Sequence, residues 1–128
     1  MSLIQTNFII ASKYPKELAN FYSKVNQNEV LKGFNDFHYL LPMGRGFYIQ
    51  FYRPSKIENW PIQGRSVAIC FQEKPSPAPM KKIEDWRANL IKLGAKTFSD
   101  PKIEFFGVEA WMNDPEGNAF LIVVPCFN

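Results

Sequence analysis

Apolar residues recur along this chain with two periods, which divide it into short strands and two longer helices. The first half opens with an apolar run, Leu3–Ala11, and continues past Pro15, a residue suited to the first turn of a helix. Apolar side chains at three- to four-residue spacing then predict an amphipathic helix: Leu18, Phe21, Tyr22 and Val25. Three strand-like segments complete this half, at residues 29–34, 37–41 and 46–53.

The second half repeats this order after a connector at residues 53–64. An apolar strand at residues 65–71 leads through a proline-rich loop into a helix that ends at Gly94, where a C-terminal glycine is expected. The apolar face of this helix is predicted to consist of Met80, Ile83, Trp86, Leu90 and Leu93. Strand-like pieces return at residues 96–99, 103–106, 108–113 and 119–124.

Each half therefore has the pattern of a β-α-β-β-β module, which indicates an α+β fold. Short links between the later strands favour antiparallel pairing, and each module alone would leave one face of its sheet uncovered. We predict two tandem β-α-β-β-β modules that form a curved, mostly antiparallel sheet around a cleft, with the helices outside. The chain is predicted to be a single domain, residues 1–128, with module one at about 1–56 and module two at about 64–128.

Composition narrows the range of functions. Aromatic residues make up 16% of the chain, a share that suits either a core or the wall of an apolar pocket. The formal net charge is +3, and the only adjacent basic pair, Lys81-Lys82, is followed at once by Glu84-Asp85. This scatter argues against a nucleic-acid partner and favours a neutral or anionic small ligand. No apolar run approaches the length of a membrane span, and two cysteines without CxxC spacing indicate a cytoplasmic protein with reduced thiols.

A tight turn separates the last two apolar runs. Its five residues, DPEGN at 114–118, combine a proline that presets φ, a glycine that accepts positive φ, and Asp and Asn side chains that bond the local backbone. The local prediction is a strand, a turn and a final strand.

The duplicated module, together with three short motifs, resembles the vicinal oxygen chelate superfamily. The motifs are Phe-Tyr at 21–22 inside the first helix, Leu-Gly-Ala at 93–95 closing the second, and DPEGN before the last strand. This group includes glyoxalase I, bleomycin-binding proteins, fosfomycin-modifying enzymes and ring-cleaving dioxygenases. The resemblance spans nearly the whole chain, and it implies a single glyoxalase/bleomycin-resistance-like domain that forms a homodimer.

The resemblance also implies one divalent metal, held by residues from the first and last strands of both modules. The matching positions in this chain are Asn7, Gln50, Ser66 and Leu121. Leucine offers a metal no lone pair, serine is a poor neutral ligand, and the amides of Asn and Gln contribute no charge. We therefore predict that the protein has no divalent metal site and no other cofactor.

Strand alternation extends these four positions to two sets of residues. The set predicted to line the cleft adds Ile9, Tyr48, Tyr52, Ala68, Cys70, Ala119 and Val123. The alternate set, predicted to pack under the helices, is uniformly apolar: Phe8, Ile10, Ile49, Phe51, Val67, Ile69, Phe71, Phe120 and Ile122. On the strand before DPEGN, Glu109 and Trp111 are expected on the cleft side.

The leading hypothesis is a small-molecule-binding protein of the glyoxalase/bleomycin-resistance type. Its ligand contacts are predicted to be Asn7, Tyr48, Gln50, Tyr52, Ser66, Trp111 and Leu121. Whether the protein is an enzyme stays open. One alternative is a lyase or isomerase that uses Glu109 or the single histidine, His38, as acid or base, without metal or with a weakly held one. Another alternative is a dimeric interaction module with a collapsed cleft.

Overall fold

Two β-α-β-β-β units follow one another along the chain, as the repeated pattern predicts. The computed structural model describes residues 6–55, 60 and 67–127. The chain divides into two compact units between residues 63 and 64, which we call unit 1 and unit 2. Ser66 and the start of the predicted strand at residues 65–71 lie outside the described residues.

Unit 1 consists of one helix and a four-stranded sheet. Its elements are β1 (Asn7–Ala11), α1 (Pro15–Asn26), β2 (Leu31–Lys32), β3 (His38–Pro42) and β4 (Tyr48–Tyr52). The strand order is β1-β4-β3-β2. The β3–β4 and β2–β3 pairs are antiparallel, as their short links predict, whereas β1 runs parallel to β4. A parallel pair requires a crossover connection, and α1 provides it.

Helix α1 buries its apolar stripe against β3 and β4. Pro15 occupies its first turn, as predicted, and the helix ends where Gln27 takes the left-handed conformation at φ 57°. The Tyr22 ring stacks on Phe51 of β4 with centroids 5.7 Å apart. Both side chains are fully buried, so this contact lies at the centre of the core of unit 1.

Unit 2 repeats the plan with one additional short strand. Its elements are β5 (Ile69–Gln72), α2 (Pro79–Leu93), β6 (Lys96–Thr97), β7 (Lys102–Glu104), β8 (Gly107–Asn113) and β9 (Ala119–Pro125). The strand order is β5-β9-β8-β6, and β7 also pairs with β8. The first and last strands, β5 and β9, are again parallel. Gly94 ends α2 with φ 115°, which confirms the predicted C-terminus of this helix.

Burial confirms the predicted alternation on the central strands. Ile49, Phe51, Phe120 and Ile122 are 0% exposed on the side of each sheet that its helix covers. On β8 the alternate residues Val108, Ala110 and Met112 are likewise buried beneath α2. Neither helix of the described ranges is long and apolar enough to cross a membrane.

Several residues differ from the predicted burial, among them Leu93 of the predicted apolar face of α2, which is 37% exposed. Phe8 is 45% exposed and Val67 is 75% exposed, although both were expected beneath a helix. Phe8 lies on the edge strand β1, away from the strands that α1 covers, and its ring contacts Phe47 instead. Val67 precedes β5, which begins at Ile69. Conversely, Val123 lies on the opposite side of β9 but is only 5% exposed.

The DPEGN turn is held by a buried carboxylate. Asp114 is 1% exposed, and its Oδ1 accepts hydrogen bonds from the backbone N–H groups of Glu116 at 2.9 Å and Asn118 at 3.0 Å. Its Oδ2 accepts a third bond from Asn118 Nδ2 at 2.8 Å. Gly117 takes φ 87°, as a glycine permits. The turn thereby fixes the β8–β9 register, in which Trp111 lies opposite Leu121.

We expect Asp114→Ala to lower the free energy of unfolding by about 2–3 kcal/mol, because it removes the acceptor of three hydrogen bonds, two of them from backbone N–H groups of the turn. Chemical denaturation measures the change. Asp100→Ala, at an exposed carboxylate of the same unit, is the matched control and should cost about 0.5 kcal/mol or less. Equal effects of the two substitutions would show that the backbone alone holds the turn.

We expect Phe120→Ala to destabilise the protein by about 3–5 kcal/mol, since it leaves a cavity beneath α2 next to Phe71. Phe105→Ala is the matched control, because this ring is 94% exposed. Its effect should be about 0.5 kcal/mol or less. Thermal and urea unfolding of the two variants should therefore differ clearly, and a small loss for Phe120→Ala would contradict the proposed burial.

Candidate functional site

The sheet of unit 1 has a second face, which points away from α1 and carries most of the predicted site residues of the first half. Residues that pair across neighbouring strands point to the same side of a sheet, and so do residues two apart on one strand. We call this surface the open face of unit 1. Its cross-strand pairs include Asn7–Tyr48, Ile9–Gln50 and His38–Tyr52.

The side chains of the open face of unit 1 are mixed in polarity and only partly buried. Asn7, Tyr48, Gln50 and Tyr52 are half-buried, and Ile9 is 60% exposed. An aromatic and aliphatic surface with a few fixed polar groups is the chemistry that a small-molecule site requires. The four predicted ligand contacts of the first half are therefore together on one surface.

His38 and Gln50 form a direct contact on this face. Nε2 of His38 and Oε1 of Gln50 are 2.8 Å apart. The other ring nitrogen, Nδ1, accepts a hydrogen bond from the backbone N–H of Phe34 at 2.9 Å. A backbone N–H can only donate, so Nδ1 carries a lone pair and the ring proton lies on Nε2. His38 therefore donates to Gln50, and both ring nitrogens are engaged within the protein.

Asn7 presents a different feature of the same face. Its Oδ1 atom is buried and has no hydrogen-bond partner among the described residues. An amide oxygen removed from water without a donor costs free energy, and the great majority of buried polar atoms in folded proteins have partners. The oxygen is thus a point at which a bound molecule could supply the missing donor.

Unit 2 has an equivalent surface on the side of its sheet that points away from α2. Trp111, Leu121 and Cys70 lie side by side across β8, β9 and β5. Glu109 is on the same side of β8, two residues from Trp111, and is half-buried. We call this surface the open face of unit 2. The predicted residues of the second half that fall within the described ranges, Glu109, Trp111 and Leu121, are therefore also on one surface.

The surroundings of Cys70 on this surface change the pKa of its thiol. Burial raises the pKa of the Cys70 thiol above its ordinary value, and the negative charge of Glu109 raises that pKa further. At neutral pH the side chain is thus a protonated thiol, which is a poor nucleophile.

The donor set does not fit a divalent metal. Leu121, on the open face of unit 2, has no lone pair to offer. The oxygen of Gln50 already accepts a hydrogen bond from His38, and its neutral amide would add no charge. Within residues 6–55, 60 and 67–127, no three His, Cys, Asp or Glu side chains cluster as metal ligands would. The implied metal therefore has no supporting ligand set among these residues.

A separate depression in unit 2 involves none of the predicted site residues. It has a volume of about 310 Å³ and lies where the start of α2 meets β7 and β8. Its walls include Met80, Lys81, Ile103, Val108 and Cys126. The lining is mostly apolar and the depression is widely open, so the open faces are the better candidate site.

Sequence reasoning missed the pairing of His38 with Gln50. The two residues are twelve apart, and their proximity depends on the β3–β4 register, in which Leu40 lies opposite Gln50 and His38 one diagonal away. The turn at residues 43–46 sets this register through the Phe47 N–H bond to the carbonyl of Gly44. Counting outward from that turn would have placed both side chains on the same face.

Comparisons with known proteins identify the fold. No protein-family model matches the sequence, and no curated protein matches it. A solved glyoxalase/bleomycin resistance protein/dioxygenase family enzyme from Burkholderia phytofirmans PsJN is 17% identical, with a TM-score of 0.69 over 95% of this chain and 97% of that chain. A glyoxalase/bleomycin resistance protein from Albidiferax ferrireducens T118 is 16% identical, with a TM-score of 0.64 over 96% and 98% of the two chains. A lactoylglutathione lyase from Agrobacterium tumefaciens is 14% identical, with a TM-score of 0.59 over 97% and 94%.

These likenesses confirm the resemblance that the duplicated module and the DPEGN turn indicate. The chain has the fold of the vicinal oxygen chelate superfamily. At these identities the likeness concerns the fold and not the chemistry of the site. The function therefore depends on the residues of the open faces.

We expect Glu109→Gln to lower the pKa of the Cys70 thiol, because the substitution removes a negative charge that disfavours the thiolate. Iodoacetamide alkylation of Cys70 can be followed by mass spectrometry across a range of pH in a Cys126→Ser background. Below the pKa of the thiol, alkylation should be faster with Glu109→Gln than without it. The whole pH–rate profile should move to lower pH. Glu84→Gln, an exposed change of the same charge on α2, is the control and should leave the profile unchanged. Identical profiles for both variants would contradict the coupling.

Proposed function

We propose that the protein binds small neutral or anionic molecules on the open faces of its units, without a divalent metal. On unit 1 the contacts are Asn7, Tyr48, Gln50 and Tyr52, and on unit 2 they are Trp111 and Leu121. Ser66, outside the described residues, belongs to the same predicted set. The fold supports a site of this kind, and the net charge of +3 favours a ligand that is not cationic.

The observation that carries the proposal is the unpartnered Oδ1 of Asn7. Packing alone gives no reason for an amide at this position, since the covered side of the sheet supplies the core of unit 1. A ligand that donates a hydrogen bond to this oxygen would remove the cost of its burial. Tyr48, the neighbour of Asn7 across the strand pair, offers an aromatic surface for the rest of such a ligand.

Binding is better supported than acid–base catalysis by His38. Both nitrogens of that ring are hydrogen-bonded within the protein, so it presents neither a free lone pair nor a free proton to a substrate. Glu109 stays the candidate for any lyase or isomerase chemistry, as the sequence predicts. A collapsed cleft in an interaction module is the remaining alternative, and it predicts that no small molecule stabilises the protein.

We also propose a cytoplasmic homodimer. Cys70 and Cys126 are both free thiols, which suits a reducing compartment. Exposed aromatic rings, among them Phe34 at 94% and Phe98 at 62%, provide apolar surface suited to a partner subunit. Sedimentation at micromolar concentration distinguishes a dimer from a monomer.

We expect Asn7→Leu to raise the free energy of unfolding of the ligand-free protein by about 1–2 kcal/mol, because it replaces an unpartnered buried acceptor with an apolar side chain of similar size. The same variant should lose stabilisation by ligand. A molecule present at about 100 times its Kd should stabilise the wild type by roughly 2.7 kcal/mol. Thermal-shift screening of a metabolite collection measures both effects.

Asn20→Leu is the matched control for this substitution. Asn20 is exposed on α1, so its replacement should change stability by about 0.5 kcal/mol or less and leave ligand stabilisation intact. A loss of stability in Asn7→Leu would show that the oxygen is satisfied in solution. A screen in which no molecule stabilises the wild type would support the collapsed-cleft alternative instead.

A further inference from the structure

The orientation of the Gln50 amide is set by a chain of contacts that begins at the β2–β3 turn. The turn is closed by the Gly33 N–H, which donates to the carbonyl of His38 at 2.7 Å. The Phe34 ring stacks on the imidazole at a centroid distance of 5.0 Å and an angle of 13°. His38 is only 8% exposed, so the ring is clamped between the turn and the sheet.

Gly33 is required for this clamp. A Cβ atom built on Gly33 would lie 2.0 Å from Nδ1 of His38, closer than any real contact. Any other residue at this position would displace the imidazole from its place against the Phe34 backbone. Gly33 thus leaves room for the imidazole of His38, and the imidazole in turn contacts Gln50.

The direction of the hydrogen bonds then follows from donor and acceptor chemistry. The Phe34 N–H at 2.9 Å keeps Nδ1 unprotonated, so the proton of the neutral ring is on Nε2 and points at Oε1 of Gln50. With its oxygen held by His38, the amide of Gln50 presents its NH₂ group to the open face of unit 1. Gln50 is therefore fixed as a donor at this surface.

We infer that His38 acts as a positioning residue that makes Gln50 a hydrogen-bond donor, and that the ligand is a planar molecule with a carboxamide or lactam group. This inference rests on the proposed function. The NH₂ of Gln50 calls for an acceptor oxygen on the ligand, and the unpartnered Oδ1 of Asn7 calls for a donor. The two residues are diagonal neighbours on adjacent strands, with their side chains on the same side of the sheet. An amide or lactam supplies an acceptor and a donor side by side, whereas a carboxylate supplies only acceptors.

Three probes of nearly equal shape separate these possibilities. Benzamide carries one acceptor and one donor group, benzoate carries acceptors only, and benzamidinium carries donors only. Titrations followed by NMR should rank their affinities for the wild type in that order, with benzamide at least about ten-fold tighter than benzamidinium, the ratio that corresponds to about one hydrogen bond. In Gln50→Glu, His38 still holds one oxygen and the other becomes an acceptor, so the preference should reverse in favour of benzamidinium. Gln27→Glu, at the C-terminal end of α1, introduces the same charge and should keep the wild-type order.

The tautomer of His38 tests the clamp without any ligand. The chain has a single histidine, so a long-range ¹H–¹⁵N spectrum contains one imidazole. It should show the proton on Nε2, and Gln50→Leu should not change this, because the Phe34 N–H sets the tautomer. A proton on Nδ1 would overturn the inference even if the probes bind. Equal affinity for all three probes, or no binding by any of them, would overturn the ligand class, whereas the metabolite screen decides separately whether the protein binds small molecules.

Discussion

Every feature of the candidate site depends on one constraint, namely that a single amphipathic helix covers only one side of each sheet. In unit 1, Tyr22 of α1 packs against Phe51 of β4 on the covered side. In unit 2, Ile83 and Leu90 of α2 are buried over β8 and β9. Burial of these side chains supplies the main stabilisation of each unit. The alternate residues of the same strands face away from the helix and are not needed for the core. They can therefore be polar or aromatic without loss of the fold.

This constraint explains how much of the fold the sequence predicts. Alternation along a strand is a local property, so the covered and open positions of β4, β8 and β9 can be assigned from the chain itself. Whether a helix reaches a given position is not local. The alternation assigns Phe8 to the covered side, but this residue lies on an edge strand. It also assigns Val67 to the covered side, but this residue lies before β5 begins. The pattern therefore identifies the side of the sheet correctly and overestimates how far the helices cover it.

The candidate site is predicted less completely, because its chemistry depends on contacts across strands. The positions of Asn7, Gln50 and Leu121 follow from spacing, whereas the contact between His38 and Gln50 requires the β3–β4 register. The sequence alone does not show why position 33 is a glycine; the reason is the imidazole of His38, which lies against it. A single glycine before an aromatic residue is compatible with many turns, so nothing local identifies this one as the base of a clamp.

The two halves differ at the positions that the family resemblance matches to metal ligands. The DPEGN turn still fixes the register of β9, yet the strand presents Leu121, a side chain that any apolar surface would accept. Asn7 and Gln50 are different, because packing does not require an amide at either place. The Asn7 amide leaves a buried oxygen unpartnered, at a cost in free energy that an apolar residue would avoid, and the Gln50 amide is oriented by a buried histidine. A cost of this kind is expected at a surface maintained for binding rather than for stability. The residues of unit 1 thus carry the chemistry of directional hydrogen bonding, whereas the last strand of unit 2 presents an apolar side chain.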